Sequence, residues 1–148
     1  MAFHFSLETL LRVRHSQEKR EELLLQNANR KVAAILREIE KLDGFLKDRQ
    51  NLRGDELHQG AFAAELHFGL LGDEALQHRR QALSEDLARA EALRDQQRDI
   101  YRRARADREA VETIRDHQFS LYRQQRDRRG QRDLDNFFLM RREFLKRG

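Results

Sequence analysis

The chain has 148 residues, 38% charged and 39% hydrophobic, with a net charge of +4 and no Pro, Cys or Trp. That profile excludes an ordinary globule in favour of long helices or a coiled coil, and the regular Leu/Ile/Val spacing argues against disorder. The absence of cysteine excludes a disulfide framework, no apolar run approaches the roughly 18 residues of a membrane span, and residues 1–5 lack the basic-then-apolar order of a secretory signal. A cytosolic location is expected.

A first helix is expected over residues 6–53. Ser6 is a favourable N-cap, with Glu8 in the positive first turn. Phe5 and Leu10 have the spacing of a hydrophobic staple. From Leu25 the heptad is regular, with Leu25, Val32, Ile39 and Leu46 at one seam position and Ala28, Ile35 and Leu42 at the other. Upstream the pattern holds at Leu7 and Leu11 but meets Arg14, Glu18 and Glu21. Two readings stand for that end: a frayed or shifted register, or a surface that meets another protein.

Residues 54–60 are expected to connect the helices, because Gly54 and Gly60 flank Asp55 and His58. A turn centred near Leu57 sets residue i opposite roughly residue 114 − i. Leu7 then falls near Asp107, and the chain beyond about residue 108 overhangs the first helix. A second helix is expected over residues 61–146. Gly69 and Gly72 each cost about 1 kcal/mol relative to Ala in a helix, so a kink or break is expected at Gly72-Asp73, with Asp73 as a fresh cap. From Asp73 to Lys146 there is no proline and one glycine, Gly130. A helix of roughly 70 residues is about 110 Å long and needs a partner for its apolar stripe. The first helix is that partner. The stripe reads through Leu76, Leu83, Leu87, Ala90, Leu93, Gln97, Ile100, Ala104, Asp107, Val111, Ile114, Gln118 and Leu121. The three-residue step from Ala90 to Leu93 resembles a stammer.

Past Leu121 the sequence is polar to Gln131 and then carries Leu134, Phe137, Phe138, Leu139, Phe144 and Leu145. Residues 123–148 hold nine Lys/Arg and four Asp/Glu, a net of +5. A basic end suggests an acidic partner surface or nucleic acid. The interleaved acids argue against nucleic acid. An apolar cluster without an internal partner marks an interaction site; the other reading is a disordered tail.

Catalytic patterns are missing. His4, His15, His58, His67, His78 and His117 form no metal-ligand spacing; Asp55-x-x-His58 comes closest to the Glu-x-x-His of di-metal helix pairs, and it lies in the connection. No phosphate-binding glycine loop and no Gly-x-Ser-x-Gly occur. The acids of Glu91–Arg94–Asp95–Arg98–Asp99–Arg102 alternate with Arg as on a solvated, ion-paired face. The expectation is a non-enzyme with no metal, cofactor or small-molecule substrate. Its expected fold is all-α: a single antiparallel two-helix coiled-coil hairpin over residues 1–148, with the second helix longer and overhanging.

These residues resemble the FliJ family of the flagellar type III export apparatus. Phe3-x-Phe5-x-Leu7-x-x-Leu10-Leu11-x-Val13-Arg14 is similar to that family's opening. Ala63-Ala64-Glu65-Leu66 is similar to the start of its second helix, with Phe62 where the family usually has a Ser cap. Arg129-Gly130-Gln131-Arg132-Asp133-Leu134-Asp135-Asn136 is similar to its R-E-Q-K-x-L-D-E, with Gly130 replacing Glu and Asn136 replacing the second acid. The resemblance implies a stalk-like adaptor that enters the pore of the hexameric export ATPase (FliI-like), couples it to the cytoplasmic domain of the export gate (FlhA-like) and handles export chaperones. It implies a place in the cytoplasm, peripheral to the inner membrane at the export apparatus. It points to Leu7, Leu10, Leu11, Arg14, Arg126, Arg129, Gln131, Arg132, Leu134, Asp135 and Phe138 as ring contacts. For the gate it points to Phe68, Leu71, Ala75 and His78, residues that also suit packing inside the hairpin near its turn. The remaining readings are an injectisome stalk of the YscO type, a basic coiled-coil nucleic-acid binder and a generic structural coiled coil.

Overall fold

A computed structural model describes residues 2–60 and 62–148 and contains two helices, α1 (Glu8–His58, 51 residues) and α2 (Ala63–Arg147, 85 residues). No strand occurs among the described residues. The fold is the expected all-α helical hairpin with the longer helix second. Position 61, the expected start of that helix, lies outside the described residues.

Both ends of α1 differ from expectation by a few residues. The Leu11 amide donates to the Leu7 carbonyl at 2.9 Å, and the Glu8 amide to the Phe5 carbonyl at 3.2 Å. Leu7 therefore takes the cap position, and Ser6 sits in the entry turn. With the cap one residue later, Phe5 packs on Leu11 and not on Leu10, which is exposed. At the other end Gly54 is absorbed into the helix, its carbonyl accepting from His58 Nδ1 at 2.8 Å. The turn belongs to Gly60, whose φ of 81° is the left-handed conformation that ends helices and that glycine adopts without strain. A glycine costs a helix too little to stop it unless the chain must also reverse. The connection therefore falls between His58 and Ala63, not at 54–60, and facing residues shift accordingly.

The chain divides into two compact units, Met1–Glu18 with Arg103–Gly148, and Lys19–Arg102. In the second of these the expected α1 heptad is the observed one. Val32, Ile39 and Leu46 are buried, and Leu25, Ala28, Ile35 and Leu42 are half-buried. On α2 the inward face runs through Leu66, Leu76, Leu83, Leu87 and Ala90, and then through Arg94, Gln97 and Tyr101. Leu93 is 64% exposed and Ile100 is also exposed. The step after Ala90 is thus the ordinary four residues to Arg94, and there is no stammer. Long side chains lay their apolar stems along the seam while their heads reach a partner or water. Gln97 Nε2 donates to the Glu21 carboxylate at 2.5 Å and to its carbonyl at 3.2 Å.

No break occurs at Gly72-Asp73. Asp73 is buried at 6% exposure and is not a cap. It lies where α1 offers two guanidinium groups in succession. Arg49 Nε is 2.8 Å from one carboxylate oxygen, and Arg53 pairs with the other. Arg49 also donates to the Gly69 carbonyl at 3.2 Å and stands 5.8 Å over the Phe45 ring. A Cβ on Gly72 would come within 3.0 Å of the Arg49 guanidinium. The glycine that reads as a helix breaker instead makes room for a cation.

Removing a buried carboxylate leaves its partly buried cations, here Arg49 and Arg53, facing each other unpaired, whereas the partner of an exposed pair returns to water. Asp73→Ala is expected to lower unfolding free energy by about 2 kcal/mol, taken as half or more of a buried pair's loss. Asp43→Ala, which breaks the solvent-screened Arg80–Asp43 pair at 2.7 Å, is expected to change stability far less. Urea denaturation followed by helical circular dichroism measures both; equal losses would contradict the burial argument.

Candidate functional site: the paired ends and the exposed faces

In the unit formed by Met1–Glu18 and Arg103–Gly148, aromatic residues hold the start of the chain against α2. Phe5, Leu11 and Val111 form a buried cluster on which Phe3 and Leu7 pack. The Phe3 ring meets Phe119 edge-on at 5.1 Å between centroids and lies 5.5 Å from Tyr122. Such pairs add roughly 1 kcal/mol beyond the area they bury. Val111, expected to lie in the unpartnered overhang beyond about residue 108, is in the core of this unit. Pairing extends to Tyr122, because the turn lies closer to α2 than expected.

The three polar seam residues of α1 are neither frayed nor out of register. Arg14 reaches Asp107 at 3.3 Å. Glu18 takes two bonds from Arg108, at 2.6 and 3.1 Å, and the same guanidinium pairs with Glu112. Glu21 holds Gln97 in the other unit. Hydrogen bonding from Arg108 pulls the Glu18 carboxyl below its ordinary value, and Glu18 with Glu112 raises the already high Arg108. Leu7, Leu10, Leu11 and Arg14 thus lie beside residues 107–115, not 100–107. Of the four, Leu11 is 2% exposed and faces inward. Leu10 turns outward, as does Val13.

Past Tyr122 every residue is exposed, while α2 remains helical to Arg147. Arg126, Arg129, Gln131, Arg132, Leu134, Asp135 and Phe138 all lie in this stretch. Gln131 bonds Asp135 one turn on at 3.2 Å, and Phe137 and Phe138 are 6.5 Å apart. Phe144, at 80% exposure, and Leu145 continue the apolar surface to the end of the helix. In the unit Lys19–Arg102, Phe68 is 73% exposed, and Leu71, Ala75 and His78 are exposed beside it along α2. Gly69, Asp73, Leu76 and Arg80 form the opposite, inward face. The Phe68 set therefore faces away from the hairpin seam.

The Arg108 and Asp73 ion clusters and the Phe3 contact escaped the apolar pattern. Their signal was heptad position: Arg49 and Arg53 continue the steps from Leu46, and Glu18 continues those from Leu11. No group of three or more His, Cys, Asp or Glu residues able to hold a metal ion occurs among the described residues. No helix of the described residues is long and apolar enough to cross a membrane.

This geometry is that of a helical hairpin protein with exposed apolar and basic faces on its longer helix. The family described as "Flagellar FliJ protein" matches residues 3–145, and the chain belongs to it. The protein is therefore a flagellar export-associated component, tied to flagellum biogenesis and motility; the family is a non-enzymatic one. No curated protein and no solved structure matches the chain.

The Glu18–Arg108 pair gives the paired ends a pH dependence of definite sign. The Glu18 pKa is lower in the fold than its ordinary 4.5, so its contribution is complete above that value and disappears as pH falls through the folded value. Glu18→Gln is expected to be less stable than the parent at neutral pH, with the gap closing below 4.5. Thermal melts of both proteins between neutral and acidic pH measure this; a gap that widens on acidification would reverse the assignment.

Proposed function

We propose that this FliJ family member is the stalk-like adaptor of the flagellar export ATPase. In this reading the paired ends and the exposed end of α2 engage the ATPase ring, and the Phe68 face engages the cytoplasmic domain of the export gate. Handling of export chaperones and a peripheral position at the inner membrane belong to the same reading.

The observation that carries it is the end of α2. Residues 123–148 are exposed, hold a net charge of +5 and combine Arg126, Arg129 and Arg132 with Leu134, Phe138 and Phe144. A seam would not place arginines so densely, because unpaired buried charge is costly. A solvated spacer would not need large apolar groups. A helix that enters a ring lined by acidic and apolar loops uses both: its cations face several subunits, and its apolar groups dock. Leu10 and Val13 add to the outward surface of the same unit, while Leu11 supports it from within.

Deleting residues 130–148 is expected to abolish stimulation of the export ATPase. The buried Val32, Ile39 and Leu46 layer lies elsewhere in the chain and should keep its helical signal. Normal stimulation by the truncated protein would refute this assignment of the α2 end. Phe68→Ala with Leu71→Ala is expected to reduce binding to the isolated gate domain at least tenfold and leave ATPase binding intact. Both residues are exposed, so the double variant should keep its melting temperature; loss of both interactions would remove the Phe68 face as a dedicated gate contact.

A further inference from the structure

The residues that left the seam of the unit Lys19–Arg102 build a second surface. Where Ala28 of α1 and Ala90 of α2 lie on the half-buried inward face, short side chains leave a depression between the helices. Leu24 rises on its α1 side, and Leu93 and Ile100 rise on its α2 side. All three are exposed, Leu93 most of all. The resulting groove has a volume of about 600 Å³. Leu93 and Ile100 are two helical turns apart on one wall, as are Leu24 and Lys31 on the other, a repeat of roughly 10.5 Å. That repeat is the spacing at which a third helix sets side chains of successive heptads into a two-helix groove.

Charge selects the occupant. Arg30 and Lys31 line the groove, and none of the described residues lining it is acidic. A second copy of this chain would bring the same cations to the same rim, and like charges across an interface oppose pairing. The exposed end of α2 is basic as well and meets the same repulsion. We propose that this groove docks an amphipathic helix of another protein, one with a Leu/Ile/Met stripe flanked by Glu or Asp. The stripe covers Leu24, Leu93 and Ile100, and the acids meet Arg30 and Lys31. This is helix-in-groove recognition, with charge fixing the partner's sign. The surface is distinct from both contacts of the preceding reading, and its test does not depend on them.

The probe is a synthetic 21-residue helical peptide with Leu at heptad positions a and d and Glu at e and g. Its twin carries Lys in place of every Glu. With the full chain and fluorescence anisotropy, the Glu peptide should bind and the Lys peptide should not. Leu93→Asp should weaken the Glu peptide at least tenfold. Arg30→Glu with Lys31→Glu should do the same while admitting the Lys peptide. The wild-type exposure of these side chains predicts unchanged melting of the variants, and the charge reversal still decides the matter if Leu93→Asp melts early. Equal binding of both peptides, or Glu-peptide binding that survives either variant, would overturn the proposal. So would concentration-dependent dimerisation of the chain alone that Leu93→Asp abolishes, since a second copy would then be the occupant.

Discussion

A hairpin of two helices has one seam and no second layer to shelter an error in it. Each inward position must either bury an apolar group against the facing helix or find a partner there for its polar group. Phe5, Leu11, Val32, Ile39, Leu46 and Val111 are the buried apolar residues among those described, thinly spread for two helices of 51 and 85 residues. Between them the inward positions are shared by half-buried apolar residues such as Ile35 and Leu83 and by Arg14, Glu18, Glu21, Arg49, Arg53, Asp73, Arg94, Gln97 and Arg108. Ion pairs of this kind contribute little net stability, because desolvation offsets most of their attraction. Their effect is specificity. An apolar seam tolerates a slip of one heptad, whereas a slip here would part Asp73 from Arg49 and Arg53, and Glu18 from Arg108.

The same economy explains which parts of the fold were legible in the sequence. Helical class, hairpin topology and the α1 seam from Leu25 to Leu46 followed from periodicity, because there apolarity and inward position coincide. They part company on α2 beyond Ala90. Following apolar residues leads to Leu93 and Ile100, whereas the inward positions are Arg94 and Tyr101. A polar residue betrays its seam position only through its spacing from neighbours, and only if that spacing outranks its hydropathy. The glycines were ambiguous for a related reason. Gly54, Gly60 and Gly72 carry equal helix penalties, yet one is absorbed, one reverses the chain and one accommodates a guanidinium. What surrounds a glycine decides among these, and the surroundings come from the other helix. The exposed end of α2 was legible because it breaks the seam pattern; the sequence left open whether Phe68, Leu71, Ala75 and His78 pack in the hairpin, and they turn outward. Leu11 was legible as a seam residue from its heptad step, whereas the cap fell one residue later than expected and with it the staple partner of Phe5 changed from Leu10 to Leu11.

Function in such a molecule divides along its length. Where the seam is apolar, as from Val32 to Leu46, the helices serve each other. Where apolar groups point outward, as at Phe68, at Leu93 and from Leu134 to Leu145, the surface is available to something else. Those outward groups stand on continuous helix, so their spacing along each helix is fixed before any partner arrives. Partner binding then needs little ordering of the backbone that displays them.

One arithmetic property of the ion clusters bears on how chains of this design change length. Glu18 and Arg53 are 35 residues apart on α1, and Asp73 and Arg108 are 35 residues apart on α2. Each interval is five whole heptads. An insertion or deletion confined to one helix would detune one cluster from the other even if it kept the heptad phase. Lengthening this hairpin therefore requires matched changes of seven residues in both helices, a double event that point substitution cannot approximate. The residue count between the paired positions on each helix is therefore held to steps of seven, while the outward residues within each interval are free to vary.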